Sequence, residues 1–427
     1  MNNLLDIPAI LLFLAALFGS LNYWFINLPR TIGLMVIALV TSLGLVGLDF
    51  IYPALGLSAS VNDFLAGFDF NVTLTQGMLS FLLFAGALHV DLGQLLSRKW
   101  TILILASFGV LISSIIIGGG FWLTAIALGL SLPLLPCMVL GVIVSPTDPV
   151  AVLGLLKTLK VPDHLKAEIA GESLFNDGVA LVLFSILVSL AFSSGDSGHA
   201  GSSFSLNSVF LLFIKEAFGG ALLGLAGGFA AFWAMRQIDD YVLEVLITLA
   251  LVTGAYSIAL HLDLSGPIAM VIAGLLIGNQ GTALAMSETT RDHVEKFWDL
   301  IDEILNSLLF LLIGLEIVLI VNNAGGGPPL WITFILVLST IVLSAGSRFL
   351  AIFFPLQLKT LLGSEIVRGT VPILTWAGIR GGVSVALALS LPDSPERGLL
   401  LLVTYCVVLF SVIVQGLTVE GVIKNYF

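Results

Sequence analysis

The sequence predicts an all-α polytopic membrane protein with 13 transmembrane helices. Three observations support this fold class: the composition, the spacing of long apolar runs, and the distribution of basic residues between those runs. Of the 427 residues, 58% are hydrophobic and only 10% are charged, and the mean hydropathy is +1.11. Soluble domains carry roughly 25% charged residues. This chain has too few charges to cover a soluble surface, so lipid must be the solvent for most of it.

Composition and motifs also exclude several functional classes. Proteins that bind nucleic acids generally carry a basic surface, whereas this chain has a formal net charge of −11. The five histidines are scattered along the chain, and no nucleotide-binding, coiled-coil or zinc motif is present. We therefore expect no nucleic-acid partner and no cofactor.

Thirteen apolar runs define the predicted spans. A helix needs about 20 residues to cross the hydrocarbon core of a bilayer. The fourth run is long enough to contain a kink, and the ninth is short and rich in glycine. The approximate spans are 5–26, 32–53, 71–90, 100–131, 133–156, 165–193, 205–235, 241–261, 266–280, 296–322, 330–355, 366–391 and 398–423.

The basic residues orient these spans, because cytoplasmic loops carry an excess of Lys and Arg. With 13 spans, twelve of the 16 basic residues fall on one side, whereas Arg397 and Lys215 are near the other. We predict an external N-terminus and a cytoplasmic C-terminus that ends soon after the last span, without a soluble regulatory domain. The twelve residues are Arg30, Arg98, Lys99, Lys157, Lys160, Lys166, Arg236, Arg291, Lys296, Lys359, Arg368 and Lys424.

Two spans carry signals of interruption. The fifth contains Pro146 and Pro149 on either side of a Thr-Asp pair, and each proline removes a backbone donor and clashes with the preceding turn. The twelfth contains three glycines and Arg380 within residues 378–382. The fifth and twelfth spans occupy corresponding positions in two six-helix halves of opposite topology, one on each side of the seventh span. This arrangement predicts two inverted repeats with a binding site at the breaks. The structural alternatives are a proline kink in which Asp148 caps the second half-helix, and glycine-mediated packing.

The sixth span carries a cluster of polar residues. At 3.6 residues per turn, Ser173 and Asp177 share one face, and Glu172 stacks over Asn176. Hydroxyl, amide and carboxylate oxygens together suit a hard cation such as Na⁺. A carboxylate can also bind a proton, so one group can hold either ion but not both. This is the minimal chemistry for exchange.

Glu172 requires a separate explanation, because a second free acid beside Asp177 would repel it. Intramembrane charges usually pair, and Arg348 and Arg380 are the arginines that lie deep in apolar stretches. We expect one of them to neutralise Glu172. The alternative is an ion pair that only supports the scaffold.

Three motifs in these spans resemble those of the NhaP-type sodium/proton antiporters, which are bacterial and archaeal relatives of the animal sodium/proton exchangers. The resemblance covers nearly the whole chain, including the number and orientation of the spans. It rests on residues 145–152 (SPTDPVAV), 171–178 (GESLFNDG) and 378–382 (GIRGG).

The resemblance implies roles for individual residues. Asp177 is similar to the transport carboxylate of the family, and Asn176 to its Asn partner, which is Asp in the electrogenic branch. Thr147, Asp148 and Ser173 match positions near the ion, so Na⁺ is expected at Asp177, Asp148, Thr147 and Ser173.

Further matches concern the charged residues around the ion. Glu172 matches an acid that pairs with an arginine of the eleventh helix, and Arg348 is the best match for that arginine. Arg380 matches the arginine of the glycine-rich motif in the twelfth helix. In the third span the chain departs from the family, because Ala85 stands where many bacterial relatives carry an acid.

The resemblance also implies an antiporter fold with interrupted, crossing fifth and twelfth helices, working as a homodimer with a moving core domain and a static dimer domain. On this basis residues 1–95 form dimer-domain helices 1–3 and 96–200 form core-domain helices 4–6. Residues 201–290 form dimer-domain helices 7–9 with the linker, 291–355 form helices 10 and 11, and 356–427 form core-domain helices 12 and 13.

The sequence thus favours a secondary transporter rather than an enzyme. It would exchange cytoplasmic Na⁺ for external H⁺, and its oxygen ligands also suit Li⁺ or K⁺, so a K⁺/H⁺ antiporter is the nearest alternative. A cation channel would share the intramembrane acids but needs repeated rings of ligands along a pore. An intramembrane hydrolase would need an oriented base, and no Gly-x-Ser-x-Gly motif is present.

Overall fold

The computed structural model of the protein describes residues 6–52, 77–148, 162–192, 206–317, 328–361 and 369–426. These ranges consist of helices joined by short turns and loops and contain no β-strand, which confirms the all-α fold class. Pro149, the predicted external loop 193–205, and the basic residues Lys157, Lys160 and Arg368 lie outside the described residues. The helices are α1 (Asp6–Leu21), α2 (Arg30–Ile51), α3 (Leu79–Leu88), α4 (Leu92–Ser97), α5 (Lys99–Ile104), α6 (Val110–Ala127), α7 (Leu134–Val144), α8 (Asp163–Phe192), α9 (Leu206–Met235), α10 (Tyr241–His261), α11 (Gly266–Leu276), α12 (Thr282–Leu284), α13 (Glu288–Leu315), α14 (Leu330–Leu361), α15 (Thr370–Trp376), α16 (Gly382–Leu389), α17 (Arg397–Phe410) and α18 (Gly416–Lys424).

Eight helical segments in the described ranges are long and apolar enough to cross a membrane. Three shorter apolar helices, Leu79–Leu88, Leu134–Val144 and Gly266–Gly281, coincide with the third, fifth and ninth predicted spans. The tenth and twelfth spans are in neither set, because α13 is long but charged in its first half, and the twelfth span is divided between the short helices α15 and α16. The eight segments are Pro8–Ile26, Arg30–Ile51, Lys99–Ala127, Leu165–Phe192, Phe213–Met235, Tyr241–His261, Leu330–Gln357 and Arg397–Lys424.

Two of the long segments continue through an internal π-helical turn, and a third, Pro8–Ile26, ends in one at Asn22–Ile26. Leu105–Gly109 joins α5 to α6, and Ser411–Gln415 joins α17 to α18. The fourth predicted span, which was long enough for a kink, therefore continues through one π turn. Such turns occur frequently at functional sites, and the turn at Ser411–Gln415 contacts the candidate site described below.

The helices pack as two groups. Helices α1, α2, α3, α9, α10, α11 and α13 pack mainly with one another and form the first helix group. Helices α4 to α8 and α14 to α18 form the second helix group. Helix α8 links the groups through α3, α9 and α11, and α13 meets α16. An apolar cluster that includes Leu309 and Ile313 of α13 with Ile379 and Tyr405 also joins them.

Helices α2 and α13 lie side by side in the first group and run in the same direction. At one end Arg30 pairs with Glu303. Further along, Gly314 lies directly against Ala38, where a side chain on residue 314 would collide with α2. Small residues let membrane helices approach closely, so Gly314 sets the spacing of this pair.

Candidate functional site

The two interrupted segments meet backbone to backbone. Helix α7 ends at Val144, and the chain is no longer helical at Pro146. Helix α15 ends at Trp376, and α16 begins at Gly382. Between these ends, the Asp148 amide donates a hydrogen bond to the Ile379 carbonyl at 2.7 Å. Free backbone groups at helix ends must find partners when they are buried, and here each break supplies partners for the other.

The buried Arg380 fastens the two breaks together. Its guanidinium Nη1 donates to the carbonyls of Ser145 at 2.8 Å and Pro146 at 3.3 Å, and its Nε donates to Ser344 Oγ at 3.3 Å. Its own amide donates to Ser411 Oγ at 2.8 Å. Among the described residues, the Arg380 side chain therefore donates its hydrogen bonds to Ser344 and to carbonyls that the break in α7 leaves without helical partners, and not to a carboxylate.

Gly381 packs directly against the side chain of Asp148 across the two breaks. A Cβ atom built on Gly381 would overlap the carboxyl group of Asp148. Any side chain at this position would therefore have to displace Asp148. By contrast, a Cβ atom on Gly346 of α14 would meet open space.

Gly381→Ala should lower transport by about tenfold or more, because overpacking at this site forces the Asp148 carboxyl group out of position. Initial rates of cation-driven proton movement in proteoliposomes measure the effect. Gly346→Ala is the matched control and should keep the wild-type rate. A Gly381→Ala protein that is as active as this control would show that the position of Asp148 is unimportant.

The polar face of α8 packs against the break after α7. Ser173 Oγ donates to the Thr147 carbonyl. Asn176 Nδ2 donates to Thr147 Oγ1 at 2.8 Å and to Glu172 Oε1 at 3.3 Å. The Asn176 Oδ1 atom has no hydrogen-bond partner among the described residues. Thr147, Ser173 and Asn176 are all buried, so this network holds α8 and the break in one arrangement.

Glu172 is neutralised by Arg348. The two guanidinium nitrogens Nη1 and Nη2 of Arg348 donate to the two carboxylate oxygens of Glu172, and both side chains are buried. A bidentate pair of this kind is the strongest geometry for an arginine and a carboxylate. Of the two arginines that the sequence left open, the structure brings Arg348 to Glu172 and places Arg380 on backbone carbonyls.

Asp177 lies beside this network and is 8% exposed. In the ranges that the structure describes, Asp148 and Glu172 are the charged groups close enough to the Asp177 carboxyl group to interact with it electrostatically. Because Arg348 neutralises Glu172, Asp177 remains available to bind a proton or a cation. Among the described residues no three His, Cys, Asp or Glu side chains are arranged to hold a resident metal ion. A transported cation would instead meet carboxyl, hydroxyl and carbonyl oxygens.

Some contributors to the site gave no usable signal in the sequence. Ser344 and Ser411 hold Arg380, but isolated serines are common in membrane helices. Ser344 does lie one turn before Arg348 on α14, so the two polar residues share a face. Ala85 is fully buried in α3, and its side chain has no oxygen to offer a cation.

Comparisons with known proteins agree with these features. Residues 10–425 match the family model of the transmembrane sodium/hydrogen exchangers. The Na⁺/H⁺ antiporter NhaP of Pseudomonas aeruginosa is 44% identical over 99% of this chain and 97% of its own length. The Na⁺/H⁺ antiporter NhaH of Halobacillus aidingensis is 37% identical over 93% of this chain and 92% of its own. The structure of the sodium proton antiporter MjNhaP1 from Methanocaldococcus jannaschii at pH 8 has the same fold, with a TM-score of 0.73 at 20% identity, over 98% of this chain and 97% of that one.

Proposed function

The chain belongs to the sodium/hydrogen exchanger family, as the resemblance of its motifs implied, and on this premise we propose that it is a Na⁺/H⁺ antiporter in which Asp177 binds the two ions alternately. It would bring external H⁺ in and move cytoplasmic Na⁺ out across the plasma membrane, and so contribute to pH homeostasis. Family membership and the names of its relatives support the exchange of these ions. The roles of individual residues are our inference.

The observation that carries the assignment is the neutralisation of Glu172 by Arg348 beside a buried Asp177. Glu172 and Asp177 are the acids that α8 places beside the break after α7, and because Glu172 is paired, Asp177 is left to exchange ions there. Thr147, Ser173 and Asp148 would supply further oxygens to a Na⁺ ion, after partial rearrangement of their hydrogen bonds. Such broken helices suit alternating access better than a continuous pore.

The two helix groups suggest how access could alternate. We identify the first helix group with a static dimer domain and the second with a moving core domain that carries Asp177. Two copies of the chain would associate through the first group. The packing of the helices supports a division of this kind. The N-terminus would lie outside and the C-terminus in the cytoplasm.

The apparent Na⁺ KM should increase as the pH falls. Protons and Na⁺ compete for Asp177, so acid fills the site with H⁺. Competition by a single proton raises the apparent KM by up to about tenfold per pH unit. Purified protein in vesicles with an imposed pH gradient, tested with Na⁺, Li⁺ and K⁺ in turn, provides both the KM values and the ion preference. A KM that stays constant across the titration range of the carboxyl group would mean that the two ions bind at separate sites.

Exchange should be electroneutral, with one Na⁺ for one H⁺. Asn176 adds an oxygen but no titratable proton, and Glu172 is held by Arg348. We expect Asp148 to be held by the helix break and the backbone groups around it. One proton-exchanging carboxyl group then remains, and each cycle moves one positive charge in each direction.

The stoichiometry is measured by clamping the membrane potential with valinomycin and K⁺ while the Na⁺-driven pH change is followed, once K⁺ is known not to be a substrate. The steady-state pH gradient should be the same at every imposed potential. A gradient that shifts with the potential would make Asp148 or Glu172 a second proton carrier.

A further inference from the structure

Glu316 is a buried carboxyl group that the site described above does not use. It follows the last residue of α13 and is 4% exposed. In the part of the chain that the structure describes, no lysine or arginine pairs with Glu316, and no charged side chain is close enough to act on it. Ionisable residues buried within a membrane are costly and generally serve a function. Burial without a cation favours the neutral, protonated acid.

Glu316 lies near the middle of the membrane rather than at its surface. Helix α13 runs parallel to α2, from the Arg30–Glu303 pair to the contact between Gly314 and Ala38. At a rise of 1.5 Å per residue, Ala38 is about 12 Å from Arg30 and about 20 Å from the end of α2 at Ile51. Glu316, half a turn beyond Gly314, is therefore at a depth that water reaches only through an opening in the protein.

The carboxyl group lies at the interface between the two helix groups. Tyr405 of α17, in the second helix group, is fully buried and donates its hydroxyl to the carbonyl of Ile313 in α13. The carboxyl group of Glu316 is close enough to this phenol for an electrostatic interaction, as is the thiol of the neighbouring Cys406. These are the titratable groups that α17 presents here, and α2 presents apolar residues to α13 around Gly314. Glu316 thus lies at the contact between the two helix groups that would open if the helix groups moved apart.

The interface also has a defined position relative to the crossing helices. Ser411, six residues after Tyr405, accepts the Arg380 amide at the crossing. Tyr405 is therefore displaced from the crossing by about 9 Å along the helix, toward the end of α17 at Arg397. We refer to that end as the Arg397 side, which is the external side in the proposed topology.

We propose that Glu316 is a second proton-binding residue, which is protonated when the interface between α13 and α17 is closed and ionised when that interface opens to water on the Arg397 side. The inference rests on the proposed function, because it requires that the two helix groups move relative to each other. A neutral acid can be buried as the interface closes, whereas a carboxylate must first take up a proton. Closure is thereby coupled to the pH on one side. Since the proton enters and leaves from the same side, it adds no charge to the transport cycle.

The test uses exchange of labelled Na⁺ for unlabelled Na⁺ at saturating Na⁺ on both sides. In this mode Asp177 carries Na⁺ in both directions, so any effect of pH on the exchange rate comes from other titratable groups. The vesicles contain protein in a single orientation, which is verified by protease cleavage of a C-terminal tag. The pH is then varied on the Arg397 side only. The wild-type rate should fall by up to about tenfold per pH unit above the titration range of Glu316, because one proton is required for closure.

Glu316→Gln stays neutral at every pH, so its rate should be independent of pH on the Arg397 side. Tyr405→Phe removes the hydroxyl but not the proton-binding group and should keep the pH dependence. Glu420→Gln, a partly exposed acid of α18 paired with Lys424, is the matched control and should follow the wild type. If Glu316→Gln follows the wild-type profile, or if the wild type itself is flat, Glu316 has only a structural role.

Two further measurements keep the inference testable. If Glu316→Gln does not fold, Glu316→Asp is used instead. It should retain the pH dependence with a displaced midpoint, since the shorter side chain places its carboxyl group in a different environment. An unshifted profile would contradict the proposal. Asp177→Asn in the same vesicles reports on the proposed function independently. A wild-type protein that moves no Na⁺ would refute the antiporter assignment, whereas Na⁺ exchange with an unaltered Glu316→Gln profile would refute only the role of Glu316.

Discussion

Asp177→Asn should abolish cation/proton exchange and leave expression and dimerisation intact. Asn cannot take up a proton, and it cannot neutralise a bound cation. The pocket around residue 177 otherwise contains neutral hydroxyl and carbonyl oxygens, Glu172, which Arg348 already neutralises, and Asp148, which we expect to be held by the break after α7. No other group on α8 can therefore replace the lost charge. Because Asn has nearly the same volume as Asp, the packing of α8 should remain unchanged.

The measurement is Na⁺-driven dissipation of a pH gradient in proteoliposomes, compared with protein-free vesicles. Asp91→Asn is a matched control. Asp91 caps α4 by accepting hydrogen bonds from the amides of Gly93 and Gln94, and Asn can serve as the same kind of cap. The control should exchange ions at the wild-type rate. Dissipation by Asp177→Asn at a similar rate would refute the assignment of the transport carboxylate.

Removing either partner of the Glu172–Arg348 pair should destabilise the protein severely. Each single substitution leaves the opposite charge buried without a partner, which typically costs about 3–5 kcal/mol. Glu172→Gln also deprives Arg348 of both of its carboxylate acceptors. Among the described residues, Arg348→Met leaves Glu172 with only the weak hydrogen bond from Asn176. The double substitution removes both charges and should cost less than the sum of the single ones.

A double-mutant cycle followed by thermal unfolding in detergent measures this coupling. The same cycle between Glu172 and Arg380 is the control, because Arg380 donates to the Ser145 and Pro146 carbonyls rather than to Glu172. That cycle should be closer to additive. Strict additivity between Glu172 and Arg348 would mean that their contact contributes nothing to stability.

The class of the protein follows from the sequence because it depends on composition and on local spacing. Few charges and long apolar runs identify a membrane protein, and the family was evident from the motifs around Pro146, Glu172 and Arg380. The 13 spans and the inverted repeats remain predictions. Contacts within one helix were also accessible, because helical geometry places residues four apart on one face. The hydrogen bond between Asn176 and Glu172 is of this kind.

Contacts between helices depended on the tertiary structure. Arg348 and Arg380 both lie deep in apolar stretches, and sequence spacing does not reveal which of them faces α8. The choice follows from packing: Arg348 projects from α14 toward Glu172, while Arg380 occupies the break itself, where free carbonyls of α7 already require its donors. Glu316 was not distinguished from other acids until its burial between α13 and α17 was known. Hydropathy and helical period determine how deep a residue lies and which face of its own helix it occupies, whereas the partner across the interface is determined by how separate helices pack.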